Sequence, residues 1–406
     1  MARAVAEQVP ASGPAKAALR AHGGIIVTRS LDEAIDLAVD VYYSGWESIT
    51  EDPKADLWIL RHDGEDHLVW RVQLQHLVQD QTDEMPVLFV DAHTGDLVWT
   101  YNNLQSATCT GTTNFYGSVN LDCNLYSNTY YLEDTVENLG TYTWNNGTTS
   151  LSYVSSTSTA FGTTTTTKNA VEAQYVLQQV YSYYLNTFGR NGIDNAGGPT
   201  ATSSHGDAFI TGSTSYSRNY VNAFWDSSNL RMVYGDGDGV NSGSLTTLDV
   251  GGHELTHGVT QYEANLTYSG ESGGLNEAVS DIFGNMVERS VLGQSSNTWL
   301  VGEQTWTPST AGDALRYMAN PTQDGYSYDY YTSTIGSADV HYSSGVANLA
   351  FYLLASGGSH PRGLSTTVVT GIGADEAANI WYHALADYMT SSTTFSGART
   401  ATLSAA

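Results

Sequence analysis

Positive charge is what this chain has least of. Its 406 residues carry 15 Lys+Arg against 42 Asp+Glu, a net charge of -27. A surface of that sign repels nucleic acid and anionic membranes, which excludes both as partners. Most of the carboxylates read as a solvated acidic surface, and some are able to bind calcium. Charge of either sign is also sparse, at 14% of residues against roughly 25% in an average soluble protein. Gly, Ser, Thr, Tyr and Asn stand in its place, the profile of a β-rich, loop-rich secreted protein. Cysteine is confined to Cys109 and Cys123, too few for a zinc–cysteine site. Their spacing of 14 is compatible with a local disulfide worth roughly 3 kcal/mol, with two free thiols as the alternative. No apolar run reaches the roughly 20 residues that a membrane span needs. The opening MARAVAEQVPASGPAKAALRAHGG holds no apolar signal-peptide core either, so the signal of a secreted protein is expected to lie outside this chain. There is no internal repeat.

At this length two or three domains are expected. Residues 1–29 are Ala/Gly-rich and read as a flexible segment. Ser30 and Glu33 then form a helix-start signature, followed by an apolar face of Leu31, Ile35, Ala38, Val39 and Tyr42. LWILRH, HLVWRVQLQHLV and VLFVDAHTGDLVWTY read as strands with turns at 63–66 and 93–96. One helix on an antiparallel sheet makes a small α+β unit. From Thr108 to about 165 the composition shifts to Thr, Ser, Asn, Gly and Tyr, with short strands and many turns. The threonine tract at 163–167 carries no chemistry of its own. A helix is predicted over 168–189 with Gly189 as its stop, then further β structure, then helices near 275–291, 343–356 and 374–390.

The chemistry concentrates in DVGGHELTHGVTQYEANLTYSGESGGLNEAVSD, residues 249–281. On a helix His253 and His257, four apart, point at one ion. A catalytic zinc site takes three protein ligands and leaves one position open. Glu254 projects about 100° away from His253, too far round to be the third ligand, in the place of a general base. Glu277, twenty residues after His257 on a second helix, completes the set. Asp281, one turn further, can accept the remaining N–H of a ligand histidine.

HExxH followed at this distance by Asn-Glu-x-x-x-Asp resembles the thermolysin-like zinc metalloproteases, in pattern nearest the pseudolysin and vibriolysin branch, over nearly the whole chain. The resemblance implies a two-lobed α+β catalytic unit, a β-rich lobe at 106–263 with the HELTH helix and a helical lobe at 264–406, with the active site in the cleft between. It implies that residues 30–105 are an inhibitory, PepSY-like propeptide domain, cut by the enzyme itself between Gln105 and Thr108 or before Leu104. NAFW at 222–225 resembles the edge that holds substrate backbone, with Asn222, the Ala223 carbonyl and Trp225. Tyr268 and His341 match the oxyanion donors, Asp339 the carboxylate that orients His341, and Arg316 the arginine that binds a substrate carbonyl. Val250, Val301 and Leu315 match the wall of a pocket for the apolar residue after the cut bond.

By the same likeness, one structural calcium is expected at Asp249, Glu288 and Glu303, with the Leu300 carbonyl as a further ligand. Thr298 and Leu300 stand where a double site has acidic ligands, which argues against a second ion. The family continues for one or two helices beyond FSGARTATLSAA, so a shortened helical lobe is expected. The implied protein is a secreted, monomeric zinc endopeptidase made as a zymogen, with one catalytic zinc and with protein and peptide substrates. The alternatives are a non-catalytic zinc- or peptide-binding relative and an aminopeptidase or other hydrolase on the same triad. Glu254 and His341 argue against the first, and the NAFW edge with Arg316 against the second.

Overall fold

The computed structural model describes residues 5–8, 27–43, 49, 52–62, 65–75, 86–102, 106–126, 129–199, 201–202 and 208–406. The chain divides into two compact units, Met1–Gln105 and Ser106–Ala406. Residues 103–105, where the processing bond was placed in part, lie outside the described residues.

In the first unit, helix α1 (Leu31–Tyr43) starts at a reciprocal capping box: the Ser30 N–H donates to the Glu33 carboxylate at 2.8 Å, and the Glu33 N–H donates to Ser30 Oγ at 3.3 Å. Five antiparallel strands lie in chain order, β1 (Val5–Gln8), β2 (Lys54–His62), β3 (Glu65–Gln73), β4 (Pro86–Asp91) and β5 (Leu97–Asn102). Ala34, Ala38 and Val39 of α1 pack on Val72, Leu74, Leu88 and Val90. Two expectations are corrected. Val5–Gln8 is not loose chain but a strand, because the edge of β2 offers it backbone partners. Leu31, in the first turn, is 39% exposed, and Ala34 one turn on takes the core position.

The second unit opens on a sheet whose longest strands are Ser106–Thr112 and Ser118–Tyr126, tied by the disulfide Cys109–Cys123. A mixed sheet follows, ending in Arg231–Tyr234 and, at its edge, Ala223–Asp226. Helix α2 (Thr165–Phe188) serves both sheets. Ala170 and Val171 join the cluster around the disulfide, while Val176, Leu177 and Val180 join the main core. Thr164 and Thr167 cap its start reciprocally, so the threonine tract, which carries no chemistry, carries the helix N-terminus. Its end at Gly189, φ 68°, is the left-handed stop that the sequence predicts.

Helices α3 (Leu248–Tyr262) and α4 (Gly270–Leu292) pack directly against each other. α4 starts at Gly270 rather than near 275. A Cβ on Gly252 would lie 2.9 Å from Gly284 Cα, and one on Gly284 would lie 2.3 Å from Asp249 O. Only glycine at both positions lets the backbones touch, and that contact brings His253 against Asp281. Around α4 pack α5 (Val340–Ser343), α6 (Gly345–Ser356), α7 (Ala374–His383, continued by a π turn) and α8 (Phe395–Ala405). α8 was not anticipated. Thr394 caps it through the Gly397 N–H, and Ala398 and Ala401 bury in the main core. Among the described residues no helix is long and apolar enough to cross a membrane.

Candidate active site

The turn spacing of α3 puts His253, Glu254 and His257 toward a cleft of about 1630 Å³. His253 and Glu254 are 7% and 6% exposed, and Glu277, arriving from α4, is fully buried. His253 Nε2 lies 3.5 Å from Glu277 Oε2, and His257 Nε2 lies 3.4 Å from Glu277 Oε1. Among the described residues this is the one group of three such side chains whose ligand atoms all fall within 4.8 Å of one another.

The outer nitrogens decide what the inner ones offer. His253 Nδ1 meets Asp281 Oδ1 at 2.9 Å. Burial works against the Asp281 charge, but Arg316 and His253 hold this carboxyl far below the usual range, so it can only accept and Nδ1 carries the hydrogen. His257 Nδ1 meets Asn276 Oδ1 at 2.7 Å, and the Asn276 amide is oriented by donating to Leu266 O at 3.0 Å. Both Nε2 atoms are therefore turned inward, 3.0 Å apart. Two lone pairs at that distance repel unless a cation sits with them. The chain's own charges supply a proton: burial opposes it at His253, but Asp281 and Glu277 raise that pKa to about 9, while burial lowers His257 to about 4. Glu277 Oε2 is buried without a hydrogen-bond partner. Two imidazoles and a carboxylate, one oxygen still unpartnered, are the donor set that zinc takes. The residues fit the metal.

Glu254 sits beside this set without joining it. Burial, with the Glu277 charge adding to it, pushes its pKa up to about 7 against the pull of His253 and of the Trp225 backbone. Such a pKa suits a group that takes and returns a proton near neutrality. The Tyr268 hydroxyl donates to Glu277 Oε1 and lies 3.2 Å from His341 Nε2. Asp339 caps α5 and accepts from both the backbone N–H and Nδ1 of His341, at 3.0 and 2.9 Å. Arg316 Nε and Nη2 bond Asp281 at 2.8 and 2.6 Å, which leaves Nη1 for another partner. Val250, Val301 and Leu315 line the cleft, as do Asn222, Ala223 and Trp225 on or beside Ala223–Asp226, which is the edge strand of its sheet among the described residues.

The expected calcium residues lie outside the cleft lining. Asp249 is engaged on both oxygens, by the Thr247 hydroxyl and the Gly302 N–H. Glu288 and Glu303 hydrogen-bond each other; burial, with the Asp249 charge, raises them to about 10 and about 7. Each keeps one buried oxygen without a partner. The Leu300 carbonyl, expected as a further ligand, accepts from Asn285 Nδ2 at 2.8 Å. The three carboxylates are neighbours, but they do not converge as the zinc-type set does.

Three positioning residues have no assigned role in the sequence. Asn276 and Ser280 hold His257 Nδ1 at 2.7 and 3.1 Å, and Asn348 Nδ2 donates to Asp281 Oδ2 at 2.8 Å. Asn276, one residue before Glu277, is the one that a helical projection could have found.

Comparison with known proteins agrees with the geometry. Residues 108–261 match the family model described as thermolysin metallopeptidase, catalytic domain, and residues 264–406 match its alpha-helical domain. A bacillolysin of Brevibacillus brevis is 39% identical over 357 residues, covering 86% of this chain and 62% of that protein. A transglutaminase-activating metalloprotease of Streptomyces mobaraensis is 38% identical over 376 residues, covering 87% and 46%. The chain thus spans about half the length of these relatives. The precursor of protealysin, a metalloproteinase from Serratia proteamaculans, has a similar structure, with a TM-score of 0.51, 30% identity, and coverage of 65% of this chain and 79% of that one.

Proposed function

The chain belongs to the thermolysin metallopeptidase family, and from that premise we propose that it is a secreted zinc endopeptidase, made as a self-processing zymogen, that cuts on the N-terminal side of apolar residues. One observation carries this reading: a preset His253–His257–Glu277 group with a buried Glu254 beside it but outside the group, in a cleft lined by the strand that ends its sheet among the described residues. A zinc ion held by His253, His257 and Glu277 would supply Lewis acidity to the carbonyl and the water of the reaction.

The rest is the work of side chains. The backbone of Ala223–Asp226 receives the substrate as an added strand. Val250, Val301 and Leu315 take the side chain after the bond. Glu254 accepts a proton from the attacking water and returns it to the nitrogen as the C–N bond breaks. Tyr268 and His341 donate to the carbonyl oxygen as it gains charge, and Arg316 Nη1 bonds a neighbouring substrate carbonyl. Asp281 and Asp339 hold the tautomers on which these roles depend. A relative that only binds would need neither Glu254 nor His341.

The family's cofactors are a catalytic zinc and structural calcium, and Asp249, Glu288 and Glu303 are the candidate holders of one calcium. Residues 30–105 act as the inhibitor of residues 106–406, and a disulfide suits an extracellular enzyme. We read the mature enzyme as a monomer. The test is casein hydrolysis with and without a zinc chelator, with the cut sites mapped by mass. Chelator-insensitive cleavage, or no cleavage, would sink the proposal. Glu254→Gln should also stay full length where the wild type yields a band starting near residues 104–108. Equal processing of both would assign the cut to another enzyme.

A further inference from the structure

One feature of the cleft rim has no part in this chemistry. Tyr326 and Tyr342 stack with ring centroids 5.4 Å apart and planes 21° from parallel, and both line the cleft near His341. Tyr326 is 70% exposed and Tyr342 39%. Neither ring is on loose chain. The Tyr326 and Ser327 N–H groups both donate to Asp324 Oδ1 at 2.8 Å. The Tyr328 N–H donates to Tyr342 O at 2.9 Å, which fastens this loop to α5, the turn that carries His341. Rigid tyrosines offer a large contact face at little cost in side-chain freedom.

The charge around the pair is one-sided. Among the described residues that line the cleft, Arg316 is the single Arg or Lys, and it is engaged by Asp281. The lining adds Asp313 and Asp324 beyond the catalytic centre, and within it Asp339, which also holds His341. A ring face attracts a cation placed within about 6 Å of its centroid, and the neighbouring carboxylates attract it over a longer range. A neutral aromatic side chain would gain the ring contact and nothing from the carboxylates.

We propose that Tyr326 and Tyr342, with Asp324 and Asp339 beside them, form a substrate subsite for a basic side chain, arginine or lysine, in addition to the apolar pocket. The proposal rests on the endopeptidase reading. It makes this enzyme a cutter of chains that carry an apolar residue at the bond and a cation nearby.

The test is a set of fluorogenic peptides with one apolar residue after the cut bond. Arginine, or its neutral isostere citrulline, is placed in turn at each flanking position. At one position kcat/KM should favour arginine by about two- to fivefold, the discrimination that an exposed cation–π contact supplies. Tyr326→Ala should bring that ratio to about one, and Tyr326→Phe, which keeps the ring, should preserve it. A ratio of one at every position in the wild type, or an unchanged ratio in Tyr326→Ala, overturns the subsite while leaving the endopeptidase intact. If no peptide of the set is cut, the endopeptidase reading falls, and the subsite falls with it.

Discussion

Helices α3 and α4 carry one cluster of ligand-type side chains whole and two of the three members of another, and the two are built on opposite principles. In the His253–His257–Glu277 group each imidazole is bonded at its outer nitrogen by a residue outside the group, so the inner nitrogens are already aimed. In the Asp249–Glu288–Glu303 group, Asp249 is engaged elsewhere and the two glutamates turn on each other. The first is held open by its surroundings; the second is closed by its own shared proton. A metal entering the first displaces a proton and moves little. A metal entering the second must break a carboxyl–carboxylate bond and recruit Asp249. Activity should therefore depend sharply on the first cluster, and stability should depend in a graded way on the second.

The largest effect should come from Glu277→Ala. The wild type should hold about one zinc per chain, and the variant should lose both the metal and hydrolysis, whereas Glu288→Ala should keep its zinc. Metal analysis of the two purified variants separates the clusters, and full zinc in Glu277→Ala would remove that residue from the ligand set. Next in size, Glu254→Gln should keep zinc and fold but lose turnover by about 10²–10⁴-fold, the typical contribution of a general base. His341→Ala should cost less, about 10²–10³-fold for one oxyanion donor. Steady-state kinetics on one peptide ranks the three. A near-normal rate in Glu254→Gln would overturn its assignment.

The first cluster was legible in the sequence because helical spacing is local. His253 and His257 at i, i+4 and Glu277 with Asp281 at i, i+4 each define a face, and two faces meeting needs only a helix that folds back. The second was less so. Glu303 lies in a loop after α4, where no period applies, and only the fold shows that the Leu300 carbonyl is engaged by Asn285. Asn348 comes to Asp281 from α6, and nothing in its local sequence sets it apart. The ends of elements escaped for a different reason. The threonine tract and Thr394 cap helices through hydroxyl-to-backbone bonds, and threonine in a polar stretch looks the same whether it caps or not.

The smallest effect is the one that tests the closed cluster. Burial and the Asp249 charge raise the folded pKa values of Glu288 and Glu303 to about 10 and about 7, from the ordinary 4.5 of a glutamate. The native state therefore holds protons that the unfolded chain releases above about pH 4.5. Where the native state binds more protons, stability falls as pH rises, by up to about 1.4 kcal/mol per pH unit for each proton held. With calcium removed and zinc retained, the thermal midpoint should accordingly decline from about pH 5 toward pH 7 and beyond. Calcium takes the place of the shared proton, so its stabilisation should be near zero at the acid end. It should grow with pH toward the roughly 2.7 kcal/mol that a ligand at a hundred times its dissociation constant supplies. Other groups also titrate in this range, and Glu288→Gln isolates the pair: Glu303 then has no partner glutamate to share a proton with, Asp249 being engaged by Thr247 and Gly302, and the calcium-free slope should flatten. Thermal scans at several pH values, with and without calcium, read all of this. A calcium shift that is the same at every pH, or a slope unchanged in Glu288→Gln, would mean that the two glutamates are not the calcium site.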